Sequence, residues 1–315
     1  MGASTAISLF AGCGGSSLGY RMAGFRELLA VEWDDNAVAT FRLNFPDVPI
    51  YHGDICGLSG DECMRFAGIG RGELDILDGS PPCQGFSTAG KRRYADCRNS
   101  LFGEYARLLA ELQPRVFVME NVTGIVKGYM KQIYLEIAKT LRDCGYRVKG
   151  QILNAMYFGV PQSRERVFLI GARNDLGIEP SHPRPQGMPI AFRDAVIGIP
   201  NGSPNRYGLK PERYKAAKEG ESLYSTYSHA YRRLRRDFTA GTITTGSHQI
   251  HPIEDRELNG RELARLASFP DSFSFIGGYQ DWVDRIGNSV PPLLMKAIAE
   301  HIKSNILERA VKLDG

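Results

Sequence analysis

The sequence predicts an α/β protein with a doubly wound, mainly parallel sheet followed by a second, smaller and irregular domain. Three observations predict it. Short apolar runs alternate with amphipathic stretches of helical length through the first 172 residues, which is the pattern of successive βα units. The first apolar run leads into Ala11-Gly12-Cys13-Gly14-Gly15-Ser16-Ser17, and only glycine lets a backbone turn so sharply while approaching a ligand closely. From about Arg173 to residue 240 the texture changes to proline, glycine, tyrosine and arginine with weak periodicity.

Residues 6–10 read as the first strand, and the glycine turn opens a helix. Residues 28–31 form a second strand ending at Glu32-Trp33, and an amphipathic helix runs from 34 through 44. A short third strand, 50–52, ends at Gly53-Asp54. The fourth, 74–78, runs into Gly79-Ser80-Pro81-Pro82-Cys83-Gln84-Gly85-Phe86-Ser87. A helix over 101–112 leads to a strand over 116–119 that ends at Glu120-Asn121. A helix over 129–143 and strands near 146–155 and 166–171 follow. Helical texture returns near Arg261, and a helix over 292–308 packs back on the first domain.

With 315 residues the chain is long enough for one sizeable domain plus a smaller one. Hydrophobic residues at 43% and charged residues at 23% are ordinary for a globular protein. A net charge of +4 permits nucleic-acid binding without demanding it. The six cysteines (13, 56, 63, 83, 97 and 144) form no CxxC pair, which argues against a zinc site, and a disulfide scaffold does not suit this size. No metal is expected. No stretch reaches the apolar length of a membrane span and no leader precedes the first strand, so the expected location is the cytoplasm.

In doubly wound sheets ligands gather at the carboxyl ends of the strands. Glu32, Asp54, Cys83, Glu120 and Asn121 each fall directly after an apolar run, so four strands deliver polar groups to one rim. Two prolines stiffen the backbone just before Cys83. Its thiol is either a nucleophile or one more buried apolar cysteine. Residues 87–99, with Lys91-Arg92-Arg93, read as a cationic flap over a polyanion or as a plain surface loop. In the smaller domain, Tyr231-Arg232-Arg233-Leu234-Arg235-Arg236 follows Tyr224, Tyr227 and His229. That run suits phosphate contacts and base-edge readout, or a solvated helix face.

Taken together, these blocks resemble the DNA (cytosine-5) methyltransferase family. The resemblance rests on Phe10-Ala11-Gly12-Cys13-Gly14-Gly15, Glu32-Trp33, Gly53-Asp54-Ile55, Pro81-Pro82-Cys83-Gln84, Glu120-Asn121-Val122, Gln162-Ser163-Arg164-Glu165-Arg166, the stretch from Arg261-Glu262 to Phe269-Pro270, and Gly287-Asn288-Ser289-Val290. It spans about 6–172 and 242–295. Ser8 departs from the aspartate of many relatives, and Ser80 from a common glycine.

The resemblance implies a Rossmann-like S-adenosylmethionine-dependent methyltransferase sheet over 1–172, completed by 275–315, with a target-recognition domain over 173–274. S-adenosylmethionine is the implied cofactor. Phe10, Gly12, Cys13, Gly14 and Gly15 would line its site, and Glu32 would take the ribose hydroxyls. Trp33 would face the adenine, or else be a core aromatic. Asp54 would meet the adenine amino group, or else cap a turn. Ile55, Pro82, Asn288 and Ser289 complete the implied set.

Carbon 5 of cytosine is a poor nucleophile until a thiolate adds to carbon 6. The implied nucleophile is Cys83, with Glu120 protonating nitrogen 3; a closed apolar site would favour the protonated acid. Arg164 and Arg166, two apart, are expected to share one face and hold the cytosine carbonyl oxygen, the adjacent phosphate and neighbouring carboxylates. Asn121 would position Glu120 or the loop. Gln84, Ser87, Lys91, Arg92, Arg93, Arg232, Arg233, Arg235 and Thr242 are the implied DNA contacts. Carbon 6 is hidden in a stacked duplex, so the base must swing out, as the methyltransferases do.

The implied partner is double-stranded DNA, met by a monomer at the nucleoid; the enzyme stands either beside a cognate restriction endonuclease in the same system, in a phage, or alone. The nearest rival is a tRNA cytosine-5 methyltransferase of the same fold. Its relatives carry Cys-Phe-Thr in the small domain, and no cysteine follows Cys144 here. A nicotinamide dehydrogenase would leave Pro-Cys-Gln and the two arginines without a role.

Overall fold

The computed structural model describes residues 2–82, 101–128, 130–200, 211–224, 231–246 and 248–313. The chain alternates β1 (Thr5–Leu9), α1 (Gly15–Met22), β2 (Arg26–Glu32), α2 (Asp35–Asn44), β3 (Ile50–His52), α3 (Gly60–Ala67), β4 (Ile76–Gly79), α4 (Leu101–Leu112), β5 (Val116–Val122) and α5 (Met130–Asp143). It then forms β6 (Tyr146–Asn154) and β7 (Glu165–Arg173). These strands make one seven-stranded sheet in the order β3-β2-β1-β4-β5-β7-β6.

The pairs among β1 to β5 are parallel, whereas β7 runs antiparallel to both β5 and β6. Helical crossovers impose the parallel part. Between β6 and β7 there is no crossover helix, so the chain doubles back and inserts the one reversed strand. Strand order changes direction between β1 and β4, the place where such sheets open a crevice.

Local signals explain where the helices begin. Asp34 caps α2, accepting from Ala37 N at 2.8 Å. Ser59 and Glu62 form a capping box at α3. Both central strands are buried almost throughout, as expected where helices cover both faces. On one face Tyr20, Ile76, Val118 and Ile170 pack with the C-terminal helices; on the other Leu9, Leu77, Phe117 and Leu169 pack with α4 and α5.

One polar patch interrupts the first core. Ser8 pairs with Asp78 in register across β1 and β4, and Tyr20 and Glu27 lie with them. Burial pushes the Asp78 carboxyl up to about 8 and that of Glu27 up to about 7.

After β7 regular structure is sparse. Two single-turn helices, α6 (Phe192–Ala195) and α7 (Pro211–Tyr214), precede α8 (Gly260–Leu266), α9 (Tyr279–Asn288) and α10 (Pro292–Ile302). The helix expected over 292–308 does return to the sheet domain, against α1, where a Cβ on Gly19 would strike Met295 and the Pro292 carbonyl. It is interrupted by a wider π-helical turn, Lys303–Leu307, before α11 (Glu308–Leu313). A third core joins Cys13, Phe41 and Phe45 to Ile243, Phe269, Phe273 and Ile286. The apolar interior of the later residues therefore continues directly behind the glycine turn.

Candidate active site

The turn after β1 is shaped by its backbone. Phe10 has φ 56°, a conformation that costs a non-glycine residue energy and clusters at functional sites. Gly12, at φ 57°, opens onto free space, whereas Cβ atoms on Gly14 and Gly15 would strike the Phe45 ring and the Val290 carbonyl. The turn is thus packed from behind and open in front, as a cradle for a ligand must be. Cys13 belongs to the packed side, and burial pushes its thiol up to about 11; any contact from it to a ligand must come from its backbone.

Glu32 ends β2 and accepts three backbone N–H groups, from Gly12 at 2.8 Å, Trp33 at 2.9 Å and Asp34 at 3.0 Å. It therefore fixes the glycine turn to the next strand. Trp33 is 76% exposed, which excludes the core-aromatic alternative and leaves its ring beside the crevice. Asp54 is exposed and accepts from Cys56 N at 2.9 Å, so it does cap its turn. The Ile55 side chain is 4% exposed and packs in the core under α4. Ser289 donates to the Arg285 carbonyl at 2.7 Å and lies 3.1 Å from Cys13 Sγ, closing the turn from α9, and Asn288 is exposed beside it. An ion pair that the sequence reading missed, Asp34 to Arg285 at 2.6 Å, ties α2 to α9 at the same edge.

Next to this cradle, β4 and β5 run in parallel with Gly79 opposite Met119. The chain leading to residue 82 therefore emerges beside Glu120 and Asn121. Asn121 donates from Nδ2 to the Pro81 carbonyl at 3.1 Å, so it holds the proline segment. Pro82 is exposed. Cys83, Gln84, Ser87, Lys91, Arg92 and Arg93 lie outside the described residues.

Glu120 is 9% exposed, and its carboxylate is 3.0 Å from Arg166 Nε. A guanidinium is thus in direct contact with it, as expected of an arginine that holds a neighbouring carboxylate. The other arginine departs from expectation. Arg164 precedes β7, is 3% exposed, and donates to the carbonyls of Ile243 and Gly287, each at 2.8 Å. Burial, with Arg166 as a like-charged neighbour, pushes it down to about 9, still protonated at neutral pH. So buried, it is poorly placed for a phosphate, and its Nε has no partner among the described residues.

The segment before Arg164 is also the seam with the later residues. Gln162 Oε1 accepts from Ile243 N at 3.0 Å, and Ser163 N donates to the Ala240 carbonyl at 2.8 Å. The Thr242 hydroxyl donates to the Ser163 carbonyl at 2.7 Å, which makes it a brace of this seam.

In the basic run, Arg233 is a correction. It is 5% exposed, donates to the carbonyls of Tyr214, Ala217, His251 and Glu254, and pairs with Asp255 at 2.7 Å. No phosphate can reach it. Arg232 and Arg235 are exposed, the first donating to the Gly220 carbonyl at 3.0 Å and the second lying 5.1 Å over the Phe238 ring.

Among the described residues, no helix is long and apolar enough to cross a membrane. The family model for C-5 cytosine-specific DNA methylases matches residues 4–218 and 201–304. The chain is 38% identical to the Type II methyltransferase M1.HphI of Haemophilus parahaemolyticus, over 95% of this chain and 86% of that one. It is 34% identical to the Type II methyltransferase M.XorII of Xanthomonas oryzae pv. oryzae, over 97% and 86%.

Among solved structures, an E. coli prophage-encoded protein described as a DNA modification methyltransferase superposes with a TM-score of 0.84 at 27% identity, covering 97% of this chain and all of the other. DNMT2 of Spodoptera frugiperda shares the fold, with a TM-score of 0.71 at 18% identity over 96% of this chain and 99% of that one. The family match and the Type II relatives support DNA over the tRNA alternative. A sheet with a glycine cradle at its switch point, a buried acid on the next rim strand and this breadth of similarity make the chain a member of the C-5 cytosine-specific DNA methylase family, an enzyme that uses S-adenosylmethionine.

Proposed function

We propose that the chain methylates carbon 5 of a cytosine swung out of duplex DNA at a specific sequence, with Cys83 as nucleophile and Glu120 as acid. The observation that carries this reading is the convergence at one rim of Glu120, Arg166 and the Asn121-held proline segment that runs to Cys83.

When bound, S-adenosylmethionine supplies the methyl group. Gly12, Glu32 and Trp33 would hold it: an open glycine backbone, a carboxylate with acceptor capacity left after three N–H groups, and an exposed indole suit a nucleoside. Asp54 would add a second carboxylate for the base.

The Cys83 thiolate would add to carbon 6, and nitrogen 3 would take a proton from Glu120, so that carbon 5 becomes electron-rich. Arg166 fixes the Glu120 carboxyl in place. Once carbon 5 carries the methyl group, a base removes its proton and Cys83 departs by elimination, which restores the aromatic ring. Arg164 keeps the seam rigid and offers its Nε to the cytosine. Residues 173–274 would select the site, with Arg232 and Arg235 on phosphates and Thr242 bracing the junction. The same reading makes the enzyme a monomer acting at the nucleoid; the Type II names of its relatives favour a restriction-modification setting, with a cognate restriction endonuclease that it need not contact.

Duplex DNA carrying 5-fluorocytosine at the methylated position should become covalently attached to the protein when S-adenosylmethionine is present, because the fluorine cannot leave as a proton does. Cys83→Ser should abolish both attachment and turnover while cofactor binding persists. Turnover by that variant would overturn the assignment.

A further inference from the structure

We propose that His248 is a DNA-contacting residue of the region after β7, in which a buried glutamate holds the imidazole so that its second nitrogen donates to an acceptor on the DNA. This rests on the reading above that residues 173–274 meet the duplex. Nothing in the sequence pattern singles out His248, because its partners come from distant segments.

The ring is held at one nitrogen and on one face. Its Nδ1 lies 3.0 Å from Glu257 Oε2, and the Glu257 side chain is 1% exposed. The other oxygen, Oε1, accepts from the Tyr214 hydroxyl at 2.9 Å. A carboxylate taken so far from water requires a cation or several donors around it. The neighbouring arginines are engaged with other acids, Arg256 with Glu254 and Glu262 and Arg233 with Asp255. His248 is an ion-pair partner of Glu257.

Tyr231 stacks on the imidazole with ring centroids 5.0 Å apart and planes 12° from parallel, and Tyr224 meets Tyr231 edge-on at 5.7 Å. Tyr231 adopts φ 50° to do this, a backbone conformation unfavourable for a bulky residue. A strained tyrosine, a buried carboxylate and a second tyrosine behind it are more than a solvated surface histidine needs.

The ring is nevertheless not sealed, since 28% of its side chain is exposed. With Nδ1 committed to Glu257, Nε2 is the nitrogen through which it can meet a partner. Ile250 N donates to the Arg232 carbonyl at 2.9 Å, which places the His248 segment alongside the basic run. Arg232, Arg235 and Arg236 are exposed there.

The groups facing the imidazole are Glu257 and Tyr231, with Tyr214 across the carboxylate and Tyr279 acting on Glu257 from α9. The Glu257 bond raises the His248 pKa and burial opposes it. When charged, the ring donates from Nε2; when neutral with its proton on Nδ1, it cannot. A donor of this kind suits a phosphate oxygen or the guanine O6/N7 edge.

The test is the affinity of the full chain for a fluorescent duplex containing the sequence it methylates, and for an unrelated duplex, measured from pH 6 to pH 9. Wild-type affinity should fall by roughly tenfold as the histidine loses its proton, the size expected for a charge-assisted hydrogen bond. His248→Gln should bind roughly tenfold more weakly at pH 6 and lose that dependence. Glu257→Gln, read in the same way, should move the inflection to lower pH. An equal loss on both duplexes with a shallower salt dependence assigns a phosphate, and a loss confined to the methylated sequence assigns a base; either supports the proposal. A His248→Gln protein that melts at a lower temperature yet keeps the wild-type affinity and pH profile would reduce His248 to a strut and overturn it. Trapping on 5-fluorocytosine by the wild-type chain tests the catalytic reading separately.

Discussion

Between the strands of the sheet, side chains are almost all apolar and charge gathers at the strand ends; in residues 173–274 the order is reversed. There several charges lie beneath the surface, beside others that are exposed. Arg233 reaches four backbone carbonyls and Asp255, and Arg256 forms two 2.8 Å bonds to Glu262. A sheet satisfies its own backbone through the ladder, so polar side chains are released to a rim where they can do chemistry. An irregular region has unpaired carbonyls inside it, and long guanidinium side chains are the donors that satisfy them. The same residue type therefore has opposite meaning in the two halves.

The sharpest way to break that contrast is at the rim. Glu120→Gln should lower kcat by about 10²–10⁴, read in single-turnover methylation with labelled S-adenosylmethionine, while calorimetry finds cofactor binding unchanged. A variant with full kcat would mean that the rim acid is structural as well.

Beneath the surface of the second region, Arg233→Met should leave Asp255 and several carbonyls unpaired and cost about 3–5 kcal/mol in urea unfolding. Its exposed neighbour, in Arg235→Ala, should change stability by less than about 0.5 kcal/mol. Equal effects from both would dissolve the distinction between strut and surface.

A pH-dependent test concerns the polar exception inside the sheet. Asp78 is raised by burial to about 8, against about 3.9 in an unfolded chain. The native state therefore holds a proton that the unfolded state gives up, so its stabilising share is complete below pH 4 and is lost as pH rises toward 8. Within that window stability should fall by up to about 1.4 kcal/mol per pH unit. Asp78→Asn cannot ionise and should flatten the slope, measured as urea midpoints at pH 6 and pH 8. Unchanged slopes would mean that the carboxyl is already ionised in the fold.

Much of this was legible in the sequence because strand ends are local. An apolar run followed by a single acid marked Glu32, Asp54 and Glu120, and the helix over 101–112 was readable from its apolar spacing. The reversal of β7 was not, because β6 and β7 read as apolar runs whatever their direction. Arg233 and Arg235 are two letters apart in one basic run, and only the pairing of Arg233 with Ile250 turns one inward and leaves the other out. Arg164 and Arg166 also share a motif, yet they diverge because the first lies before β7 and meets the seam. His248 was invisible for a related reason: Glu257 and Tyr231 reach it from two separate stretches, and Tyr214 holds the Glu257 carboxylate from a third.

The third core has a consequence for anyone transplanting recognition segments between members of this family. Phe269 and Phe273 share an interior with Phe41 and Phe45, and the Phe45 ring backs Gly14. A graft that ends near residue 240 carries away loops and leaves that aromatic wall standing. One that extends to residue 274 takes Phe269 and Phe273 out of the wall, and the donor's replacements would have to fit against Phe41 and Phe45 behind the recipient's nucleoside cradle.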